Sequence, residues 1–224
     1  MMTKKKNVLM RSAGLLLVLV LVTSCFVGST FAKYTVGGNG SDSARVAKFG
    51  VNVTATGTMF AKEYATDDGS AGTITKSVIS TDKVVAPGTK GDMASMTLTG
   101  TPEVAVRVSY AVNKFELKGW TTDGTTEYCP LVFTVGTASY KIGDAGITSV
   151  SDLQDKVKAA ITAYSKDYEA KTDLSGVGAD SLKVSWAWAF EGDDAKDTAL
   201  GSRAAEDKAA TVELEITTTV TQID

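Results

Sequence analysis

The sequence predicts a mainly β fold, an antiparallel β-sandwich interrupted by one amphipathic helix. Three observations predict it. Apolar and polar residues alternate in seven or more short runs, the pattern of strands that bury a single face. Turn chemistry separates those runs, with Pro87 presetting φ before Gly88 in Ala86-Pro87-Gly88 and a second stop at Asp123-Gly124. The composition, 43% hydrophobic and 22% charged over 224 residues, supplies one sizeable core and excludes a long disordered tail or a collagen-like repeat. Strands with one apolar face bury it against a second sheet, hence the sandwich. No self-repeat of about 20 to 50 residues is visible, which argues against a solenoid.

Residues 1–32 have the form of a signal peptide. Lys4, Lys5, Lys6 and Arg11 make a basic start, and Ala13 to Val22 is apolar without interruption. Thr30-Phe31-Ala32 places a small residue before the expected cut between Ala32 and Lys33. Two other fates fit the same stretch. Val22-Thr23-Ser24-Cys25 matches a lipoprotein box, although Cys25 is followed by apolar Phe26-Val27 where a polar tether is usual. An uncleaved anchor is the third, because Ser12 to Ala32 approaches the ~20 residues that span a bilayer. Cleavage after Ala32 is the preferred reading, and it leaves the membrane as a partner of the leader only.

Residues 33–44, rich in Gly, Ser, Asn and Asp, form a flexible arm. Tyr34 and Val36 lie two apart, so in an extended strand both point to one face. An arm so poor in apolar anchors has little reason to fold back on its own domain. Open sheet edges accept added strands, so the arm is expected to dock on a neighbouring copy.

Residues 45–224 are expected to form one β-sandwich domain. Ala47, Phe49, Val51 and Val53 alternate first, followed by Val104, Val106, Val108, Tyr110 and Val112. Val184, Trp186, Trp188 and Phe190 give the most hydrophobic face, and Val212, Leu214, Ile216, Thr218 and Val220 the last. Shorter strands are expected at Ile74 to Ser80, Met93 to Thr99 and Leu131 to Val135. Ser151-Asp152-Leu153-Gln154 has the form of a capping box, and Leu153, Val157, Ala160, Ile161, Tyr164 and Tyr168 then recur at helical spacing. A helix near 151–168 follows.

The chemistry is limited by what is missing. There is no histidine, so His-Glu-x-x-His zinc sites and the usual hydrolase triads cannot be built, and no enzymatic activity is expected. Neither a Gly-x-Ser-x-Gly elbow nor a phosphate-binding Gly-x-x-x-x-Gly-Lys loop occurs. Paired carboxylates such as Glu103 and Glu191 are a residual glycosidase possibility, but solvated surface acids are the default. Four of the 23 basic residues and none of the 26 acidic ones lie in the leader, so the mature chain carries 19 against 26, a net of −7. Such a surface repels phosphate backbones, and nucleic acid is not an expected partner. Loss of the leader also removes Cys25, leaving Cys129 as a small buried hydrophobe beside Pro130, with no partner for a disulfide. Glu191, Asp193, Asp194 and Asp197 crowd one loop with oxygen ligands suited to Ca²⁺, although their spacing is not that of an EF-hand. The default is a solvated acidic turn, with no cofactor. Trp186 and Trp188 belong to a core face, whereas Trp120, in Gly-Trp-Thr-Thr-Asp-Gly, is expected to be the exposed aromatic contact.

The junction Gly28-Ser29-Thr30-Phe31-Ala32-Lys33-Tyr34-Thr35, followed by Ser43-Ala44-Arg45-Val46-Ala47-Lys48-Phe49, resembles the exported Gram-positive proteins processed by the signal peptidase SipW. Val85-Ala86-Pro87-Gly88-Thr89, Gly100 to Val106, Tyr128-Cys129-Pro130, Trp186 to Glu191 and Asp197 to Gly201 are similar to the same group. Its distant, better-known relatives are the biofilm matrix fibre protein TasA and camelysin. The resemblance implies a jelly-roll β-sandwich, secretion to the cell surface or extracellular matrix, and assembly in which an N-terminal arm completes a neighbour's sheet. The expected function is therefore that of an exported surface or matrix structural protein that self-associates or joins other matrix proteins. A surface adhesin or carbohydrate-binding module on the same sandwich is the alternative. Thr221-Gln222-Ile223-Asp224 supplies no sortase-type sorting signal, so retention is expected from assembly, adsorption or an uncleaved leader.

Overall fold

The computed structural model describes residues 12–17, 45–55, 59–65, 72–92, 96–176 and 182–224. The chain divides into two compact units, Met1–Arg45 and Val46–Asp224. In the first, residues 12–17 are helical, with Leu15, Leu16 and Leu17 exposed. Among the described residues no helix is long and apolar enough to cross a membrane. Cys25, the expected cut between Ala32 and Lys33, and the arm with Tyr34 and Val36 lie outside the described residues.

The second unit is mainly β. Its described strands, in chain order, are β1 (Asn52–Ala55), β2 (Glu63–Ala65), β3 (Thr73–Lys76), β4 (Lys90–Asp92), β5 (Met96–Thr99), β6 (Val106–Lys118), β7 (Leu131–Val135), β8 (Ala138–Tyr140), β9 (Ser165–Tyr168), β10 (Val184–Trp188) and β11 (Thr211–Gln222). Two helices interrupt them, α1 (Val150–Ala163) before β9 and α2 (Asp194–Ala205) before β11. The described pairings are all antiparallel, in sheets ordered β4-β10-β7-β8 and β11-β6-β9 and in two-stranded ribbons β1-β5 and β2-β3.

Alternation in β7 and β10 decides the core. Trp186 pairs with Phe133, Trp188 with Leu131 and Val184 with Val135, so all six side chains share one buried face. Antiparallel partners always point the same way, and burying this face removes it from water at about 25 cal/mol per Å² of apolar area. The two larger sheets share this core, since Phe115 of β6 meets Phe133 of β7 edge-on at 5.1 Å. In β6 the buried residues are Val106, Val108 and Tyr110, and then Phe115 and Leu117. The change of parity comes from a bulge: Val112 faces Ile216 and Lys114 faces Glu215, leaving Asn113 as the extra residue.

Gly91 shows how tightly β4 sits on this face. A Cβ there would stand 2.1 Å from the Met59 carbonyl oxygen and 2.7 Å from Trp186 Nε1. The Trp186 indole crosses β4 at this point and donates to Met59 O at 2.9 Å, so only glycine leaves it room.

Several sequence expectations are corrected. Ser149, not Ser151, caps α1, with its Oγ accepting from Asp152 N at 3.0 Å and Asp152 returning a bond to the cap backbone. The helix ends at Ala163 rather than near Tyr168, because residues 165–168 pair with β6, where Tyr168 faces Val106 and Asp167 takes a bidentate bond from Arg107. The strand containing Trp188 stops there, and Phe190 is 72% exposed instead of joining the apolar face. The strand expected from Ala47 to Val53 is seen only from Asn52, with Phe49 and Val53 exposed. The run expected to Ser80 ends at Lys76 and leaves Val78 and Ile79 in solvent. Met93 lies outside the described residues, and that strand is described from Met96.

Candidate functional site

The feature best suited to an interaction is the outer edge of β11. Over its 12 residues β11 pairs with β6, from Thr211 opposite Lys118 to Gln222 opposite Val106. The sheet order places it at the margin, and among the described strands none pairs with its other side. Val212, Leu214, Ile216 and Val220 pack partly buried against the core, while Thr211, Glu213, Glu215, Thr217, Thr219 and Thr221 are exposed. The Asn113 bulge belongs to β6, so β11 itself runs without interruption. Edge strands are normally blunted by proline, lysine, a bulge or short length. β11 is long and has no proline, lysine or bulge of its own, and the charges it carries are Glu213 and Glu215, on its exposed face.

Charge on this sheet is arranged across strands. Lys114 pairs with Glu213 of β11 and lies 3.6 Å from Glu116, and Lys118 reaches Glu116 at 2.5 Å. The Lys118 ammonium holds the Glu116 carboxyl below its ordinary value, against partial desolvation. Asn113 Nδ2 donates to Thr217 Oγ1 at 2.6 Å, tying the bulge to β11.

The acidic segment is not a loop, as the sequence suggested, but the start of α2. Asp193 is its N-cap, accepting from Lys196 N at 3.1 Å, and Asp194 and Asp197 occupy the first turn, where a helix dipole favours anions. Lys196 also forms an ion pair with Asp193 at 2.9 Å, and these two contacts hold the Asp193 carboxyl below its usual range. Asp197 Oδ1 accepts from Tyr128 OH at 2.8 Å. Burial, then this carboxylate, raises the Tyr128 phenol well above its ordinary value. Glu191 is exposed outside the helix. Capping thus places Asp193 and the Tyr128 bond places Asp197, and among the described residues no group of three or more His, Cys, Asp or Glu is arranged to hold a metal ion.

The tryptophans are all in the core. Trp120, expected to be exposed, is 2% exposed, donates from Nε1 to Thr211 O at 2.9 Å and lies 5.7 Å from the Trp188 ring. The turn after it closes on itself instead, because Asp123 accepts from the backbone and hydroxyls of Thr125 and Thr126. Cys129 is buried, and desolvation pushes its thiol up to about 12. Glu103 accepts from Lys48 N at 2.9 Å and serves a loop contact. The sequence showed β11 as a strand, but its marginal position depends on pairing between distant segments and has no local signal. No family model, curated protein or solved structure matches the chain.

Proposed function

We propose that the protein is an exported structural subunit of the cell surface or extracellular matrix, a jelly-roll-like β-sandwich that assembles by strand addition. The N-terminal arm of one copy, with Tyr34 and Val36 as its apolar anchors, docks on an open sheet edge of the next. The observation that carries this reading is the 12-residue β11, which lies at the margin of its sheet and whose outer side no other described strand pairs with. The signal-peptide pattern and the resemblance to SipW-processed proteins support the location. Chemistry is no part of this role. Trp120, the aromatic contact that a glycan-binding module on this sandwich was expected to use, is buried, as are Trp186 and Trp188.

The test begins with protein recovered from the medium. Its intact mass should correspond to a chain beginning at Lys33, and it should sediment as oligomers or fibres without added ligand. A diacylated chain beginning at Cys25, or a monomer that takes up a glycan, would overturn the reading.

A further inference from the structure

We infer that α2 is a strap that opens independently of the sandwich, held shut through Tyr128 and Leu200, and that its opening is what exposes the folded chain to cleavage after Arg203. From Ala189 to Ala209 the chain crosses from β10 to β11, and in this stretch Leu200 alone is buried. Among the described residues, its polar attachments to the rest of the domain converge on one side chain. Tyr128 OH donates to Asp197 Oδ1 at 2.8 Å, the Asp193 main chain lies against the same phenol, and the Lys196 ammonium stands 5.3 Å from the ring centroid. The other bonds of the stretch are its own: Asp193 caps α2 and pairs with Lys196 at the start, and Lys208 N donates to Arg203 O at the end. Arg203 lays its guanidinium beside Gly124, with Nε buried and unpaired.

Firm contacts bound the strap on both sides. Before it, buried Trp188 accepts from Gly88 N and donates to Thr89 O through its main chain. After it, Thr211 begins the long pairing with β6, and its carbonyl is held by Trp120 Nε1 at 2.9 Å. A segment with so few buried contacts between such anchors opens at a fraction of the cost of unfolding the whole domain. Released, the 12-residue α2 does not persist, because isolated helices shorter than about 12–15 residues are marginal in water and Gly201 weakens its interior. Undocking and melting are therefore one event. It bares the Arg203–Ala204 peptide bond to a protease while β11 stays paired with β6 and the sandwich stays folded. Neither the N-terminal arm nor assembly enters into this opening.

Hydrogen exchange in a dilute solution of the chain beginning at Lys33 provides the test. The α2 amides are expected to exchange through an opening nearly insensitive to low urea, whereas those of β6 and β7 follow urea-dependent global unfolding. Three substitutions separate the two events. Tyr128→Phe keeps the ring and removes the hydroxyl, and should speed α2 exchange about threefold to tenfold; Leu200→Ala should speed it at least about thirtyfold. Ile161→Val, at a fully buried position of α1, should speed exchange of β6 and β7 about threefold to tenfold and leave α2 unchanged, because the closed and the open strap both carry that defect. Trypsin cutting after Arg203 in the native chain should follow α2 exchange through the same series, with the fragment carrying β11 staying bound until urea is added. Exchange of α2 and β6 with one free energy and one urea dependence overturns the inference. An Ile161→Val effect of equal size on both does the same, as does a cut after Arg203 that Leu200→Ala fails to accelerate.

Discussion

Replacing Gly91 with alanine should be among the most damaging single-methyl changes in this protein. The new Cβ would stand 2.1 Å from Met59 O and 2.7 Å from Trp186 Nε1, far inside contact distance. Neither neighbour retreats easily. Met59 O is backbone, and Trp186, 1% exposed, is held by its bond to that oxygen and by the rings of Phe60 and Tyr64 at 5.4 and 6.2 Å. Forcing extra volume into a packed core costs about 1–3 kcal/mol. Breaking the indole bond and leaving buried polar groups unpaired adds about 1–3 kcal/mol. Gly91→Ala should therefore lose roughly 2–6 kcal/mol, a large share of the ~5–15 kcal/mol of a typical domain. Urea unfolding followed by tryptophan fluorescence measures it. Gly201→Ala provides the control of opposite sign, since that glycine is exposed in α2 with nothing within 4 Å of the added methyl, and alanine should gain about 0.5–1 kcal/mol. A Gly91→Ala midpoint indistinguishable from the parent would refute the placement of Trp186 across β4.

Other outcomes follow from the same core and its surface. Trp120→Phe should cost about 1–2 kcal/mol more than Trp188→Phe, because Trp120 Nε1 bonds Thr211 O whereas Trp188 Nε1 is buried without a partner; equal losses in urea would contradict this. Acid should destabilise the domain. Asp152 is held down to about 2 by bonds from Thr148 and Ser149, and Asp123 lies below its ordinary range through the Thr126 and Thr125 amides and hydroxyls. Their folded values lie below the unfolded value near 4, so the stability they contribute is present above about pH 4 and lost as pH falls towards 2. Asp152→Asn should flatten that limb in a pH series of melting temperatures, and an unchanged slope would remove Asp152 from the account. Cys129 should react with a thiol reagent only at the rate of domain opening, because the buried thiol is protonated until about pH 12; rapid labelling in native buffer would show it exposed.

Strands whose own side chains decide their burial were legible in the sequence. Leu131 to Val135 was recognised to the residue, and β11 and the Trp186 face came from alternation alone. The misses have two causes: distant partners that decide an element's outcome, and an element too exposed to carry an apolar stripe. Tyr164 and Tyr168 continue the helical spacing of α1, yet β6 draws 165–168 into a strand. α2 carries a single buried residue, Leu200, so no apolar stripe announces it, and its caps read as an acidic turn. Trp120 sits among turn residues, but the start of β11 supplies the Thr211 carbonyl that buries it. The acidic cluster was legible as chemistry and illegible as geometry, because oxygen ligands and helix caps have the same composition.

In the proposed assembly the N-terminal arm of one copy docks onto an open sheet edge of the next. The most direct test compares the chain beginning at Lys33 with the one beginning at Ser43, by light scattering and negative-stain microscopy over a concentration series. Assembly through the arm gives concentration-dependent fibres from the longer chain and none from the shorter one. If both chains remain small at every concentration, or both form the same fibres, the arm is not the assembly element and the claim is contradicted.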